Sequence, residues 1–99
     1  MIEGVVREEL NKEKLIDILT EELPALRARI GITQEALCNI IGISRPTYNA
    51  IESQKKRMSW NVYLSLLLLF TQNEKTVDII DLIGAFPDEL KSALNVQNR

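Results

Sequence analysis

The 99-residue sequence contains one cysteine and no histidine. A single thiol, Cys38, cannot form an intramolecular disulfide, and without histidine it provides no basis for a zinc or haem site. No nucleophile is paired with a histidine base, and no glycine-rich phosphate loop is present. We therefore expect no metal, no cofactor, no catalytic residue and no enzymatic activity. Glycine and proline are also scarce, at four and three residues, so nothing indicates a low-complexity segment.

Long hydrophobic runs are missing as well. The densest apolar stretch, residues 60–70, is interrupted by Asn61 and Ser65 and is too short to cross a bilayer. The first residues lack the basic segment and the apolar run that are typical of a signal peptide. These features predict a soluble, cytoplasmic protein without a membrane partner.

Charge is distributed unevenly along the chain. The net charge is −2, but residues 27–58 carry +4, while residues 1–26 carry −4 and residues 59–99 carry −2. Because salt screens charges beyond about 8–10 Å, local charge decides what a surface binds. The middle third can therefore bind phosphate although the whole chain is acidic. A solvated charge cluster without a ligand is the alternative.

The pattern of apolar residues predicts helices throughout. Alternating β-branched residues are nearly absent, and apolar residues recur at steps of three and four. The length suits one domain with one core. We expect an all-α, compact bundle of five to seven helices, with an N-terminal helical extension (1–19), a core (20–70) and a C-terminal helical extension (71–99).

Several helix boundaries can be placed. Near Thr20 the sequence allows either a second helix capped by this residue or a single helix that is kinked there. Towards the end of the chain, a helix over 75–83 is expected to be followed by a short one. In that last helix, Leu90, Ala93 and Leu94 should face inward.

The most informative segment lies between residues 33 and 53. Thr33 can cap a helix over 34–41, Gly42 can take the positive φ of a tight turn, and Ser44 can cap a helix over 45–54. Two short helices joined by a glycine-containing turn form a helix-turn-helix. In the second helix, Tyr48 and Ile51 are three residues apart and should face the core.

This segment resembles the helix-turn-helix of the phage repressor/Cro family, also called XRE-type regulators. The resemblance covers about residues 23–70. The matching residues are Gln34, Cys38, Gly42 and Glu52. It implies a lambda-repressor-like DNA-binding domain. Two positions depart from the family pattern, because Tyr48 stands where isoleucine or valine is usual and Pro46 offers no hydrogen bond to a base edge.

The resemblance also implies site residues and a double-stranded DNA partner. The recognition helix, 45–54, would enter the major groove. Arg45 would be the leading reader of guanine, and Gln34 would match the family's phosphate anchor. Glu52 would form a structural salt bridge with Arg27. The predicted DNA-binding residues are Thr33, Gln34, Ser44, Arg45, Pro46, Thr47, Asn49, Ala50, Lys55, Lys56 and Arg57.

The C-terminal third predicts self-association. Ser59 can cap a helix that reaches Phe70. Residues 62–70 of this helix are apolar nearly all round, so it must be covered on more than one side. Because dimers read two half-sites, we expect a homodimer on a near-palindromic operator, with a self-covered monomer as the alternative. The dimerisation candidates are Leu66, Leu69, Phe70, Ile79, Ile80 and Ile83.

Two functions from different classes therefore remain. The favoured one is a sequence-specific transcriptional regulator that acts as a repressor. The other is a protein-interaction module, such as an antitoxin or a coactivator, because a fold alone does not determine function.

Overall fold

The computed structural model describes residues 10–96, which contain six α-helices and no strand. The helices are α1 (Lys12–Ile30), α2 (Gln34–Ile41), α3 (Arg45–Glu52), α4 (Trp60–Thr71), α5 (Val77–Leu82) and α6 (Asp88–Leu94). The predicted all-α bundle of five to seven helices is thereby confirmed for the described residues.

α1 is one continuous helix, which decides between the two alternatives near Thr20. The Asn11 side chain accepts from the Lys14 amide at 3.1 Å and caps the start of α1. Thr20 caps nothing, since its hydroxyl donates to the Ile16 carbonyl at 2.6 Å, one turn back. Pro24 lies exposed inside the helix, where it removes the single backbone bond to the residue-20 carbonyl. The expected boundary between residues 19 and 20 therefore falls within a helix.

The core forms where α1 packs against α3 and α4. Apolar residues of α1 at steps of four and three lie on one face and are buried, as an amphipathic helix requires. The large side chains that are fully enclosed there include Leu19, Leu23, Leu26, Tyr48, Ile51, Tyr63, Leu66 and Phe70.

The α2–α3 turn matches the expectation from the sequence. Gly42 has φ 76° and ψ 38°, and its N–H bonds to the Cys38 carbonyl at 2.9 Å, which ends α2. Ser44 accepts from the Thr47 amide at 3.3 Å and begins α3. α3 ends at Glu52, two residues earlier than predicted, because Gln54 takes a positive φ of 65° that a helix cannot continue.

The helix expected over 75–83 is shorter than predicted. α5 begins at Val77 because the buried Thr76 hydroxyl donates to the Phe70 carbonyl at 2.7 Å and holds the preceding turn against α4. In α6 only Leu90 is buried, whereas Ala93 and Leu94 are exposed. The prediction for those two residues was wrong, because α6 reaches the core only near its first turn.

The dimerisation candidates also require a correction. Leu66, Phe70 and Ile80 are each 0% exposed within a single chain. No surface is left on these side chains for a partner subunit. The buried apolar side chains of α4 are covered by other helices of the same chain, whereas Leu68 is 63% exposed. The other three candidates, Leu69, Ile79 and Ile83, are half-buried against the core.

Candidate nucleic-acid interface

α3 exposes one face and buries the other. Arg45, Pro46 and Asn49 are exposed, and Thr47 and Ala50 are half-buried. On the opposite face, Tyr48 and Ile51 are enclosed in the core. Of the five predicted DNA-binding residues on α3, three are therefore exposed and two are partly covered.

The exposed face of α3 begins with a cation, Arg45. Among residues 10–96, Arg45 forms no ion pair. A cation in the first turn of a helix also opposes the helix dipole, which is a small local cost. Arg45 lies one helical turn before Asn49, so the two side chains share a face.

Hydroxyl groups at the starts of α2 and α3 serve as caps. Thr33 accepts from the Ala36 amide at 3.1 Å. The Ser44 hydroxyl donates to the Thr47 hydroxyl at 2.8 Å, which leaves the Thr47 proton free to donate elsewhere. Thr33 and Ser44 therefore each order the start of a helix, whether or not they contact a ligand.

The Glu52 carboxylate joins α1, α2 and α3. Arg27 of α1 donates from Nε and Nη2 to the two carboxylate oxygens, both at 2.8 Å. The Tyr48 hydroxyl donates to Oε2 at 2.6 Å, and Gln34 Nε2 donates to Oε1 at 3.1 Å. Arg27 Nη1 also donates to the Ile32 carbonyl at 3.1 Å. We call these four side chains the Glu52 network: Arg27, Gln34, Tyr48 and Glu52.

The Glu52 network is electrostatically strong because it is shielded from water. The Arg27 and Glu52 side chains are 21% and 10% exposed. The hydrogen bond from Arg27, helped by those from Tyr48 and Gln34 and opposed by burial, lowers the pKa of Glu52 to about 2. Burial, followed by the hydrogen bond to this carboxylate, raises the pKa of Tyr48. The carboxylate is therefore ionised at neutral pH, and it fixes α3 relative to α1.

The role of Tyr48 was missed from the sequence, which indicated only a core position. Its ring is buried as expected, but its hydroxyl reaches a carboxylate four residues later. The spacing of Tyr48 and Glu52 is the signal that could have revealed the contact, since residues four apart in a helix are neighbours.

Gln34 differs from the phosphate anchor that the resemblance implies. Its Nε2 donates inward to Glu52 at 3.1 Å and to Asn49 Oδ1 at 3.5 Å. Only its amide nitrogen can donate to a phosphate, and that nitrogen faces α3. Gln34 therefore acts first as a link between α2 and α3.

The basic loop after α3 divides into two parts. Arg57 donates to the Asp17 carboxylate at 2.7 Å and to the Glu13 carbonyl at 2.8 Å, so it holds the loop against α1. Lys55 and Lys56 are exposed and form no ion pair with any residue in the range 10–96. The two lysines are thus the free cations of this loop within the described part of the chain.

Two other kinds of site are not found in the described part of the chain. Within residues 10–96, no three His, Cys, Asp or Glu side chains are placed to hold a metal ion. No helix in this range is both long and apolar enough to span a membrane. Cys38 is buried, and burial raises the pKa of its thiol, which suits a core residue rather than a nucleophile.

The comparison with known proteins matches the same part of the chain. Residues 25–59 match a family described as helix-turn-helix, and this range includes α2 and α3 with the last six residues of α1. No curated protein and no solved structure matches the chain.

Proposed function

We propose that this protein is a cytoplasmic, sequence-specific repressor, because residues 25–59 match the helix-turn-helix family of the Cro/C1 (XRE) type, whose members are DNA-binding regulators. It places α3 in the major groove of double-stranded DNA. The observation that carries the proposal is the division of α3 into an exposed face with Arg45 and Asn49 and a face held by the Glu52 network. A helix that reads bases must be held rigidly by residues that do not read them.

Arg45 is the main base reader in this proposal. Its guanidinium can donate two parallel hydrogen bonds to O6 and N7 of guanine, which is the commonest specific contact in the major groove. Its exposure, and the lack of an ion pair with residues 10–96, leave both donors available. Thr47 and Ala50 line the same face, where a hydroxyl donor and a methyl contact with thymine are possible.

Phosphate contacts flank the reading helix. Lys55 and Lys56 follow α3 and would bind the DNA backbone, together with the Thr33 hydroxyl, which only accepts within residues 10–96 and keeps its proton for a phosphate. Ser44 already donates its proton to Thr47 and contributes by capping α3. Arg57 contributes less to DNA binding because Asp17 already holds its guanidinium. A bound protein of this kind blocks the duplex to other proteins, and repression is the outcome that we propose.

The salt dependence of DNA binding tests this function. We expect the affinity for duplex DNA to fall steeply as salt rises, because each neutralised phosphate releases counterions. Lys55→Ala and Lys56→Ala should each reduce the slope of log K against log salt by about 1 for every bound subunit. Lys91→Ala, on α6, serves as a control and should leave the slope unchanged. Fluorescence anisotropy of a labelled duplex measures the affinity of the parent protein and of the three variants at each salt concentration.

Salt-independent binding, or no binding to any duplex, would contradict the proposal. In that case the interaction-module alternative, an antitoxin or a coactivator, would account better for the fold.

The proposed repressor acts as a homodimer on a near-palindromic operator. A groove between α2 and α4 is lined by Ile40, Ile41, Ser65, Leu68, Leu69 and Gln72. Ile40 and Leu68 are 62% and 63% exposed, which is unusual for large apolar side chains. The groove has no charged lining residue, so two copies that meet about a two-fold axis bring no like charges together. A second copy of this chain is therefore the occupant that we propose.

Leu68→Asp should dissociate the dimer into monomers. The substitution places a charge in a contact that the two-fold axis repeats, so each dimer would bury two carboxylates. Leu82→Asp is the matched control, because Leu82 is 84% exposed and does not line the groove. Sedimentation equilibrium at micromolar concentration should give dimers for the parent and the control, and monomers for Leu68→Asp. A monomeric parent, or a dimeric Leu68→Asp variant, would contradict this interface.

A further inference from the structure

Two side-chain amides form a chain of hydrogen bonds that starts at Glu52 and ends on the exposed face of α3. Gln34 Nε2 donates to Glu52 Oε1 at 3.1 Å and to Asn49 Oδ1 at 3.5 Å. Gln34 is half-buried and Asn49 is exposed. The chain thus connects the interior of the Glu52 network to a residue of the proposed reading face.

The ionised carboxylate determines which way the Gln34 amide faces. A carboxylate only accepts hydrogen bonds, and Arg27 and Tyr48 already donate to this one. The oxygen of the Gln34 amide would be repelled there, so the nitrogen must face Glu52. This nitrogen carries two hydrogens, and the second is directed to Asn49.

The Gln34 nitrogen in turn determines which way the Asn49 amide faces. Because Gln34 presents a donor, Asn49 must turn its oxygen toward Gln34 and its nitrogen away. Within residues 10–96, Asn49 Nδ2 has no hydrogen-bond partner. Asn49 therefore directs its hydrogen-bond donor to an incoming ligand, while its oxygen is turned toward Gln34.

We propose that Asn49 selects a keto base, guanine or thymine, at one position of the DNA site and rejects the amino bases. This inference rests on the proposed function. Guanine O6 and thymine O4 are acceptors in the major groove, whereas cytosine N4 and adenine N6 are donors. An asparagine with a free amide reads adenine by using both its donor and its acceptor. Gln34 removes that option, and so it is a positioning residue for Asn49.

Base preference at this position tests the inference. Affinities are measured for a set of duplexes that differ at single positions. The position read by Asn49 is the one at which Asn49→Ala binds all four bases with equal affinity. The parent protein should favour guanine and thymine over adenine and cytosine by about fivefold, the ratio expected for a single net hydrogen bond. Asn49→Asp, which offers only acceptors, should reverse the preference to adenine and cytosine.

Gln34→Ala tests the positioning role separately. Without the Gln34 donor, the Asn49 amide can rotate and use both of its groups, so adenine should become the favoured base. Asn61→Ala, in the first turn of α4, is the matched control and should keep the parental preference. A merely structural role of Gln34 would weaken binding to all four bases equally.

The outcomes separate this inference from the function on which it rests. Salt-sensitive DNA binding with a parental preference for adenine, or with no base preference that depends on Asn49, would overturn the inference alone. A parent protein that binds no duplex at any salt concentration would overturn both.

Discussion

Glu52→Ala is expected to lower the free energy of unfolding by about 3–5 kcal/mol, the usual result of removing one partner from a buried ion pair. The substitution leaves the Arg27 guanidinium, 21% exposed, without its bidentate partner. It also removes the acceptor for the Tyr48 hydroxyl and the Gln34 amide. A buried donor without an acceptor keeps its full desolvation cost.

Urea unfolding followed by circular dichroism measures this effect. Glu21→Ala is the matched control, because Glu21 is exposed on α1, and a surface change of this kind shifts stability by about 0.5 kcal/mol or less. A loss for Glu52→Ala that equals the loss for the control would mean that the network does not hold the helices together.

The same carboxylate makes stability depend on pH. The pKa of Glu52 is about 2 in the folded protein, whereas its ordinary value is 4.5, so folding favours the ionised carboxylate. The ionised carboxylate contributes about 3 kcal/mol to the free energy of unfolding. This stabilisation is fully present above pH 4.5 and is lost as the pH falls toward 2. Glu52→Gln cannot titrate, so the stability difference between the parent and this variant should shrink with acid. If the free energies of unfolding of the parent and of Glu52→Gln differ by the same amount at every pH, Glu52 is not the group that makes stability depend on pH.

Arg45→Ala is expected to lower the affinity for the preferred DNA sequence by about 10- to 100-fold, which corresponds to about 1–3 kcal/mol for a bidentate contact with guanine. The loss should be specific, because the variant would no longer distinguish guanine from other bases at the contacted position. Folding should be unaffected, since Arg45 is exposed and lies in the first turn of α3.

Arg45→Lys separates base reading from charge. Lysine keeps the positive charge but lacks the planar fork, so it should retain binding to DNA of any sequence and lose most of the discrimination. A duplex with 7-deazaguanine at the contacted position removes the N7 acceptor and should affect the parent protein but not Arg45→Ala. If Arg45→Ala weakens binding equally for all sequences, Arg45 is a phosphate contact.

Local features of the fold could be predicted from the sequence because their causes are local. Thr33, Ser44 and Ser59 each accept from a backbone amide three residues later, as the cap positions predict. The burial of Tyr48 and Ile51 follows from the helical period once the turn at residue 42 is placed.

The remaining features depend on partners that are distant in the sequence. Leu66 and Leu68 are indistinguishable in an all-round apolar helix, yet one is fully buried and the other is 63% exposed, because only the packing of the other helices decides it. Gln34 reaches Glu52, 18 residues away, and Arg57 reaches Asp17, 40 residues away. No local pattern indicates such contacts. The first changes the predicted role of Gln34, and the second changes that of Arg57.

The central claim is that α3, held by the Glu52 network, reads a specific DNA sequence. Selection of bound duplexes from a random DNA pool tests it most directly. We expect enrichment of one sequence with two inverted half-sites, centred about 10 base pairs or a multiple of that distance apart, as two reading helices on one duplex face require. A pool that shows no enriched sequence after repeated rounds, while the protein remains folded, would contradict it.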